Sequence, residues 1–524
     1  MPTSISDNLP QQRFKAEQVR DNEAKVAKIQ GVEMYQLMLD AGKAVFKLVS
    51  TNYDCTNLMI LCGYGNNGGD GYVVAKLALA ENWKVSVVQV GDIDKLKGDA
   101  KRAYSDFIDA GGKVDVCLQG YIIHDELVVD ERTVIIDALL GTGITGDVRE
   151  PMASLITWVN NQAVVGEIAG VVSVDVPSGL NSNTGVVANT AIKATLTCTF
   201  IGVKQGLSTG YGPDYCGKLY YADLAVGEAF NAHVQASAWC VNQKQLAEAL
   251  PKRQLASHKG SFGHVLLIGA TRGMSGAIRM AGRACFRTGA GLVSIVTHID
   301  NEMVVATDSP EFMVSGVKTD TDIRPWLDKV DVIAIGPGLG QSSWGQSMFT
   351  QVTEYLKHVP KPCVLDADAL NIMASLKFYP RFEGKNTVIT PHPLEAARLL
   401  RSNTKTVQQD RFEAAKTLSE ITGAVALLKG VGTVVCALED DTCDLYINTS
   451  GNPGMATAGM GDVLTGIIGA LMAQGFMAKD AAIFGALIHG LAADIAAREG
   501  ERGMMASDIL AHIRQVINFS NIDE

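Results

Sequence analysis

An aspartate at the end of a glycine-rich run is the first group in this sequence that could do chemistry. Asp462 closes the run GMGD, residues 459–462, and precedes an apolar segment, 463–472, of helical length and spacing. Glycine lets the backbone approach a ligand closely, and free amides at a helix N-terminus favour phosphate. Asp462 is therefore a candidate base that takes a proton from a hydroxyl attacking phosphorus. The alternative is an aspartate that only caps the helix.

A second glycine-rich run, GYGNNGGDG, occupies residues 63–71. The apolar stretch 58–62 before it predicts a buried strand, and the segment 72–81 after it has helical spacing. A strand, a glycine-rich turn and a helix in this order can bind the phosphates of a dinucleotide, because the turn leaves amides free at the helix start.

Two aspartates of the first half follow predicted buried strands. Strands are predicted at 84–90, 134–140, 171–176 and 194–200, with helices or loops between them. This alternation predicts a mostly parallel, doubly wound sheet of the Rossmann-like type, whose ligands lie at the carboxyl ends of the strands. Asp137 precedes the glycine-rich turn 141–147, and Asp175 precedes the turn VPSGL. Either aspartate alone is typical of a turn, but with the glycine-rich run they indicate a site.

The second half shows the same alternation without repeating the sequence of the first. The strand pattern fades after residue 227, and we place the boundary there, which gives domains 1–228 and 229–524. Strands are predicted at 265–268, 332–335, 363–365, 387–390 and 424–428, followed by a hairpin-like pair ending at Asn448. A second, larger α/β domain is therefore expected.

Composition excludes several classes of partner. The 524 residues predict about two to four domains. The 45 basic and 56 acidic residues give a net charge of -11, which argues against a general affinity for nucleic acid or an anionic membrane. The ten cysteines include no CxxC pair, so neither a zinc cluster nor a disulfide framework is predicted. The N-terminus lacks the apolar core of a signal peptide, and His489 and Asp494 interrupt the apolar segment 481–497, so we expect a soluble, cytoplasmic protein.

Taken together, these motifs resemble the bifunctional NAD(P)H-hydrate repair enzymes, in which an epimerase domain is fused to a nucleotide-dependent dehydratase domain of the ribokinase-like superfamily. GYGNNGGDG, DALLGTG and VDVPSGLNSNTG are similar to the epimerase motifs; HKGSFG, GMSGA, GPGLG, DADALN, TPHPLEAARL, LKG and NPGMATAGMGDVLTG are similar to the dehydratase motifs. Two positions depart from the family pattern, Leu394 in place of glycine and Met460 in place of a small residue. Neither departure removes a reactive group.

The resemblance implies hydrated NADH or NADPH as substrate, with a hydroxyl group at C6 of the nicotinamide ring. The C-terminal domain would phosphorylate that hydroxyl with ADP or ATP and Mg²⁺, family analogy favouring ADP, and the ring nitrogen would then expel phosphate. By the same resemblance Asp462 is the base, and Gly276, Gly338 and His392 contact the substrate with it. Lys429, Gly430, Val431, Gly432, Thr433 and Gly461 would bind the nucleotide, with Glu395 near magnesium.

In the N-terminal domain the resemblance implies a dinucleotide cradle and an epimerase centre. The cradle comprises Asn66, Asn67, Gly68, Gly69, Asp70, Gly141, Thr142, Gly143, Ile144, Thr145, Gly146 and Asp147. Asp175 would do the acid–base work at C6, and Asn67, Asp137 and Ser178 offer oxygen ligands to potassium. Lys204 is a weaker candidate for an anion contact, and its interpretation as a solvated surface lysine is favoured over that role.

Two other functions stay open on the sequence. One is a ribokinase-like kinase acting on a vitamin-precursor alcohol, which shares the GxGD motif but leaves the first domain unexplained. The other is a nucleotide-binding sensor without turnover, which leaves Asp175 and Asp462 unexplained. For the repair enzyme we expect a small-molecule dinucleotide substrate, ADP or ATP, no nucleic acid or membrane partner, and a homo-oligomer.

Overall fold

The computed structural model describes residues 5–117, 127–143, 146–307, 309–377, 379–382, 386–439 and 442–519. The chain folds as two compact units, 1–239 and 240–524. The first unit ends at Trp239, which is 11 residues after the predicted boundary at residue 228. Ala238 and Trp239 pair with Arg13 and Gln12 in antiparallel orientation.

The first unit alternates strands and helices. Its strands are β1 (Ile5–Ser6), β2 (Gln12–Arg13), β3 (Asn57–Cys62), β4 (Lys84–Val90), β5 (Val114–Cys117), β6 (Thr133–Ala138), β7 (Gly170–Val174), β8 (Leu196–Phe200), β9 (Lys218–Ala222) and β10 (Ala238–Cys240), and its helices are α1 (Ala16–Gln30), α2 (Met34–Asn52), α3 (Asn66–Ala80), α4 (Gly98–Asp109), α5 (Met152–Val165), α6 (Gly212–Cys216) and α7 (Gly227–His233). The main sheet has the order β1-β9-β8-β7-β6-β3-β4-β5, parallel except for β1. The direction of chain progression reverses between β3 and β6, and ligands bind at such a switch point.

The glycine-rich run of the first unit is the start of α3. This helix begins at Asn66, earlier than the predicted residue 72, with Gly65 at its N-cap. A Cβ atom on Gly68 would lie 2.0 Å from the carbonyl oxygen of Gly63, so only glycine lets the helix begin this close to the end of β3. The close approach carries the polar first turn of α3 to the edge of the sheet.

We expect Gly68→Ala to destabilise the protein, although alanine normally favours a helix by roughly 0.5–1 kcal/mol over glycine. The added methyl group would overlap the Gly63 oxygen, and the backbone shift that relieves the overlap costs about 1–3 kcal/mol. Gly65→Ala is the matched control, because its φ is -92° and no atom lies within 4 Å of the added Cβ. Urea unfolding followed by circular dichroism measures both variants, and equal midpoints would contradict the steric argument.

The second unit has a larger sheet covered by helices. Its strands are β11 (His264–Ile268), β12 (Leu292–His298), β13 (Met313–Val317), β14 (Val332–Ile335), β15 (Cys363–Leu365), β16 (Thr387–Ile389), β17 (Val425–Leu428), β18 (Thr433–Glu439) and β19 (Thr442–Asn448), and its helices are α8 (Gln243–Ala249), α9 (Ser275–Thr288), α10 (Glu302–Ala306), α11 (Arg324–Leu327), α12 (Ser343–His358), α13 (Ala367–Ser375), α14 (Pro393–Leu399), α15 (Thr404–Gln409), α16 (Arg411–Thr422), α17 (Met460–Ala473), α18 (Ala478–Ala496) and α19 (Ala506–Ile517). The order is β13-β12-β11-β14-β15-β16-β17-β18-β19, parallel up to β17 and antiparallel beyond it. Chain progression reverses between β11 and β14.

Two apolar helices form the centre of the second core. Nearly every residue of α17 after Asp462 is buried, and α18 packs beside it. The segment Ala478–Glu499 is long and apolar enough to cross a membrane, but 78% of its most apolar stretch is buried inside the protein, as in a core helix.

The second unit also contains a disulfide, Cys436–Cys443, between β18 and β19. The cysteine spacing did not predict this pair, because it depends on the register of the hairpin.

Candidate active sites

A cavity of about 750 Å³ lies at the carboxyl edge of the first sheet. The segments after β4, β3, β6, β7 and β8, which are neighbours in the sheet, contribute to it, including the turns on both sides of the switch point between β3 and β6. Of the predicted residues, those that line it are Asn66, Asn67, Asp70, Gly141, Thr142, Gly143, Asp147 and Asp175. Gly68 packs against β3 and Gly69 against Met38, behind the cavity wall. Gly146 adopts a positive φ of 80°, and Ile144 and Thr145 lie outside the described residues.

Asp175 and Lys204 form an ion pair inside this cavity. The Nζ atom of Lys204 lies 2.5 Å from Oδ1 of Asp175, and the same oxygen accepts hydrogen bonds from Thr199 Oγ1 (3.0 Å) and the Phe200 amide (3.1 Å). The Lys204 side chain is only 2% exposed, so its interpretation as a solvated surface lysine is wrong. Asp175 adopts a φ of 64°, an uncommon conformation for a residue other than glycine that is frequent at functional sites.

Two further carboxyl groups, those of Asp70 and Glu23, line the same cavity. Burial raises the pKa of Asp70 well above its ordinary value, and the charge of Asp175 adds to the effect. Burial also raises the pKa of Glu23, with Lys204 opposing the shift and Asp175 reinforcing it. The cavity therefore holds a buried ion pair beside two carboxyl groups that retain protons more readily than usual. No motif signal pointed to Glu23, which lies on α1 far from the glycine-rich turns.

The predicted potassium ligands are connected to one another. Ser178 Oγ donates to Asp137 Oδ1 (2.5 Å) and lies 3.2 Å from the carbonyl oxygen of Leu140, and Asn67 Nδ2 donates to that carbonyl at 3.1 Å. Asp137 is completely buried, which raises its pKa, and hydrogen bonds from Ser178 and Ser173 oppose the shift. Oxygen atoms from a carboxylate, a hydroxyl and a carbonyl thus lie together, with the amide group of Asn67 beside them, and these oxygens fit a hard cation.

In the second unit, Asp462 lies in the first turn of α17 and does not cap it. Gly459 is the N-cap residue, with a φ of 92°. The first helical hydrogen bond runs from the Val463 amide to the Gly459 carbonyl (3.1 Å), so the amides of Gly461 and Asp462 precede the helical ladder. Burial raises the pKa of Asp462 to about 7, with Asp366 adding to the shift and Lys429 opposing it. An acid with a pKa near neutrality beside free helix amides suits proton abstraction next to a bound phosphate.

A buried carboxylate that the sequence analysis did not assign, that of Asp366, lies at the centre of this site. Its Oδ1 atom accepts hydrogen bonds from Lys429 Nζ (2.9 Å) and Thr390 Oγ1 (2.7 Å), and its Oδ2 atom accepts one from Thr465 Oγ1 (2.8 Å). Although burial alone raises the pKa of Asp366, the Lys429 charge and these hydrogen bonds hold it below the ordinary value. Burial likewise opposes the charged form of Lys429, but Asp366 and Glu395 raise its pKa. The two residues are therefore a charged pair.

Gly461 lies directly against this pair. A Cβ atom at that position would be 3.2 Å from Lys429 Nζ and 3.6 Å from Asp366 Oδ2. The absence of a side chain therefore allows the N-terminus of α17 to approach the lysine. Buried Arg411 supports the nucleotide motif that begins with Lys429, because its guanidinium group donates hydrogen bonds to the carbonyl oxygens of Leu428 (3.2 Å) and Lys429 (3.3 Å). In the same loop Gly430 and Gly432 have positive φ values, Val431 is half exposed, and Thr433 begins β18.

His392 and Glu395 form a reciprocal cap at the start of α14. His392 Nδ1 accepts from the amides of Leu394 (3.1 Å) and Glu395 (3.4 Å), while Glu395 Oε2 accepts from the His392 amide (2.9 Å). The Nε2 atom of His392 lies 3.2 Å from Glu395 Oε1. Burial raises the pKa of Glu395 to about 7, which Lys429 opposes and Asp366 reinforces. Both oxygens of Glu395 are thus engaged within the protein, and this arrangement does not fit a direct Mg²⁺ ligand.

The two predicted substrate glycines lie on either side of the switch point between β11 and β14. Gly276 is in the first turn of α9, with open space where a side chain would be. Gly338 has a φ of 58°, and a Cβ there would lie 2.8 Å from the carbonyl oxygen of Met274. The loops after β11 and β14 therefore meet at the edge where a ligand is expected.

Comparison with known proteins extends these observations over nearly the whole chain. Residues 265–515 match a family model described as NAD(P)H-hydrate dehydratase, and residues 34–206 match one described as YjeF-related protein N-terminus. The bifunctional NAD(P)H-hydrate repair enzyme of Coxiella burnetii is 41% identical over 507 residues, covering 96% of this chain and 99% of that protein. That of Escherichia coli is 40% identical over 515 residues, covering 98% and 95%. Among solved structures, the ADP/ATP-dependent NAD(P)H-hydrate dehydratase of Bacillus subtilis, co-crystallized with ATP/Mg²⁺, is 29% identical with a TM-score of 0.47, covering 53% of this chain and 97% of that one.

The fold and the two sites define a two-domain α/β enzyme, with a doubly wound epimerase-type domain followed by a larger α/β domain of the NAD(P)H-hydrate dehydratase type. The chain belongs to the family of bifunctional NAD(P)H-hydrate repair enzymes. It is therefore an enzyme of metabolite repair with an epimerase domain and a dehydratase domain. The fold class, the family and the bifunctional activity predicted from the sequence are confirmed.

Proposed function

We propose that Asp462 is the base of the dehydratase reaction and that Lys429 and the N-terminal amides of α17 hold the transferred phosphoryl group. The C6 hydroxyl of the hydrated nicotinamide attacks the terminal phosphorus of the nucleotide, Asp462 takes the hydroxyl proton, and the shortened nucleotide leaves. The lone pair of the ring nitrogen then expels phosphate from C6, and loss of a proton from C5 restores the double bond. The observation that carries this proposal is Asp462, half-buried beside Lys429 and next to amides outside the helical ladder.

The pH dependence of dehydration tests the assignment of the base. Asp462 must be deprotonated to act, so kcat/KM should fall about tenfold per pH unit below the pKa of about 7 and reach a plateau above it. Because Glu395 has a similar pKa, Glu395→Gln is the matched control and should leave the acidic limb in place. Rates measured from pH 5.5 to about 9 decide between the two acids. An acidic limb that disappears in Glu395→Gln would assign the titration to Glu395.

The nucleotide site supports ADP or ATP as donor, with Mg²⁺ carried on its phosphates. Residues 429–433 would contact the nucleotide and Gly461 would lie against it, while His392, Gly276 and Gly338 would face the hydrated dinucleotide. Magnesium would neutralise charge on the phosphates. Both oxygens of Glu395 are engaged with His392, so Glu395 would not ligate Mg²⁺ directly, and its place near magnesium stays a prediction.

We propose that Asp175, with Lys204, is the acid–base centre of the epimerase. Lys204 pairs directly with Asp175, while burial raises the pKa of Asp70 and of Glu23 in the same cavity, so the domain would offer groups that accept a proton and groups that supply one at C6. The dinucleotide phosphates would lie against the first turn of α3 and residues 141–147. Asn67, Asp137 and Ser178, with the Leu140 carbonyl, would hold potassium, which would fix the start of α3 and the segments after β6 and β7 relative to one another.

A single experiment tests both proposals together. Chemically hydrated NADPH, a mixture of C6 epimers, is mixed with ADP or ATP plus Mg²⁺, and the return of dihydronicotinamide absorbance is followed. Full conversion is expected with at least one of the two nucleotides, and ADP is the donor expected to work. Conversion of only half would leave the epimerase proposal unsupported, and no recovery with either nucleotide would contradict the dehydratase proposal. Replacing K⁺ by Li⁺ should slow only the epimerase phase.

The setting of the enzyme is also a proposal. We propose that it acts as a homo-oligomer in the cytoplasm on small molecules, without nucleic acid or membrane partners. The net charge of -11 and the free thiols of eight cysteines support that setting. Size-exclusion chromatography with light scattering measures the oligomeric state.

A further inference from the structure

Four dehydratase motifs meet at one side chain. Asp366 follows β15, Thr390 follows β16, Lys429 follows β17, and Thr465 lies on α17. All three partners donate to the carboxylate of Asp366, at 2.7–2.9 Å, and Asp366 is only 1% exposed. A carboxylate as buried as this, with three donors and little access to solvent, is suited to holding other groups rather than to meeting a substrate.

The connection to Asp462 passes through α17. Asp462 and Thr465 are three residues apart, so their side chains lie on the same face of the helix. The Thr465 bond to Asp366 therefore fixes the rotation of the turn that carries the base. The opposite oxygen of the same carboxylate holds Lys429, whose Nζ atom lies beside Gly461. One carboxylate thus sets the distance between the base and the lysine.

We propose that Asp366 is a positioning residue of the dehydratase, whose carboxylate holds Lys429 and the Asp462-bearing turn of α17 in one arrangement for phosphoryl transfer. The inference rests on the proposed roles of Asp462 and Lys429. Displacing reacting groups by about 1 Å can cost about 100-fold in rate, so the expected effect is on kcat rather than on nucleotide affinity.

Because Asp366 is charged, its replacement should change the pH dependence of kcat/KM, which the replacement of a purely structural residue would not. Asp366 raises the pKa of Asp462, and Lys429 lowers it. His489 on α18 faces Lys429. None of the other charged or titratable residues on the helices packed against α17 is a cause of the Asp462 shift. These residues are Arg279, Arg283, Cys285 and Arg287 on α9, Lys479, Asp480 and Asp494 on α18, and Asp508, His512 and Arg514 on α19. Removing the Asp366 charge therefore leaves Lys429 less compensated and moves the acidic limb of kcat/KM to lower pH.

The experiment compares Asp366→Asn with Thr465→Val in the full-length protein. Asp366→Asn should lower kcat by about 100-fold and shift the acidic limb downward. Thr465→Val removes one hydrogen bond to Asp366 but keeps the charge of Asp366. It should therefore lower kcat by about tenfold and leave the acidic limb of kcat/KM at the same pH. Thr465→Ser keeps the hydroxyl group and should restore the rate. Nucleotide affinity, measured by calorimetry, should change less than about threefold in all variants.

The outcomes separate the positioning role from the proposed function. If the wild-type protein shows no nucleotide-dependent turnover, the proposed function fails and the positioning role fails with it. If the wild type is active and a folded Asp366→Asn protein keeps its rate and pH profile, only the positioning role is overturned. Should Asp366→Asn not fold, Thr465→Val and Thr465→Ser still decide, because equal rates for these two variants overturn the role of Asp366 as well.

Discussion

Asp462→Asn should abolish nucleotide-dependent dehydration while leaving both ligands bound. Asparagine has nearly the same shape but cannot take a proton, and loss of a general base typically costs about 100-fold to 10,000-fold in rate. The side chain does not cap α17, because Gly459 is the N-cap residue, so the change removes no helix-stabilising hydrogen bond. We therefore expect a folded protein that binds hydrated NADPH and ADP but does not return dihydronicotinamide absorbance.

The control for this variant is Asp480→Asn. Asp480 also lies in the first turn of a buried helix, α18, so its replacement removes the same helix-dipole interaction without touching the site. Thermal unfolding and calorimetric titration with ADP should be alike for the two variants, whereas turnover should be lost only at position 462. Normal turnover by Asp462→Asn would end the assignment of this residue as the base.

The second large effect is expected at the ion pair of the first domain. Asp175→Asn should stop epimerisation, so that the conversion of mixed epimers halts near half while the usable form is still dehydrated at the normal rate. The intact second activity in the same chain is an internal control for folding and substrate quality. Complete conversion at the wild-type rate would contradict the role of Asp175.

Because Lys204 is buried, the Asp175→Asn substitution should also lower the stability of the protein. A double variant separates this loss of stability from the loss of activity. Removing one partner of a buried ion pair typically costs about 3–5 kcal/mol, because the other charge is left uncompensated, and Lys204 is only 2% exposed. Asp175→Asn combined with Lys204→Met removes both charges and should recover most of that stability in urea unfolding. Epimerisation should stay absent in the double variant, which separates the chemical role of the pair from its effect on folding.

Local sequence features were sufficient for the scaffold of both sites. Buried strands followed by glycine or acidic turns were located correctly for β3, β14 and β15, because short apolar runs and the residues that end them are neighbours in the chain. The predicted start of α3 at residue 72 was wrong, because the glycine-rich run was interpreted as a loop. The helix begins at Asn66, and close packing, not a loop conformation, requires glycine at positions 68 and 69. Residues 17–49 have helical periodicity throughout, yet they belong to two helices, because Gly31 ends α1 with a φ of 68°.

The sequence alone therefore established the family, the two activities and the acids at the strand ends, all of which depend on residue types and on spacings within single motifs. Only the tertiary structure showed that Lys204 is buried against Asp175, and that Asp366 joins Lys429 and Thr465, which lie 63 and 99 residues away along the chain. The tertiary structure was also needed to show that Glu23 lines the epimerase cavity. The physical reason is that burial and charge pairing arise from contacts between distant segments, and it is these contacts that determine whether a lysine is solvated and which acid retains a proton near pH 7.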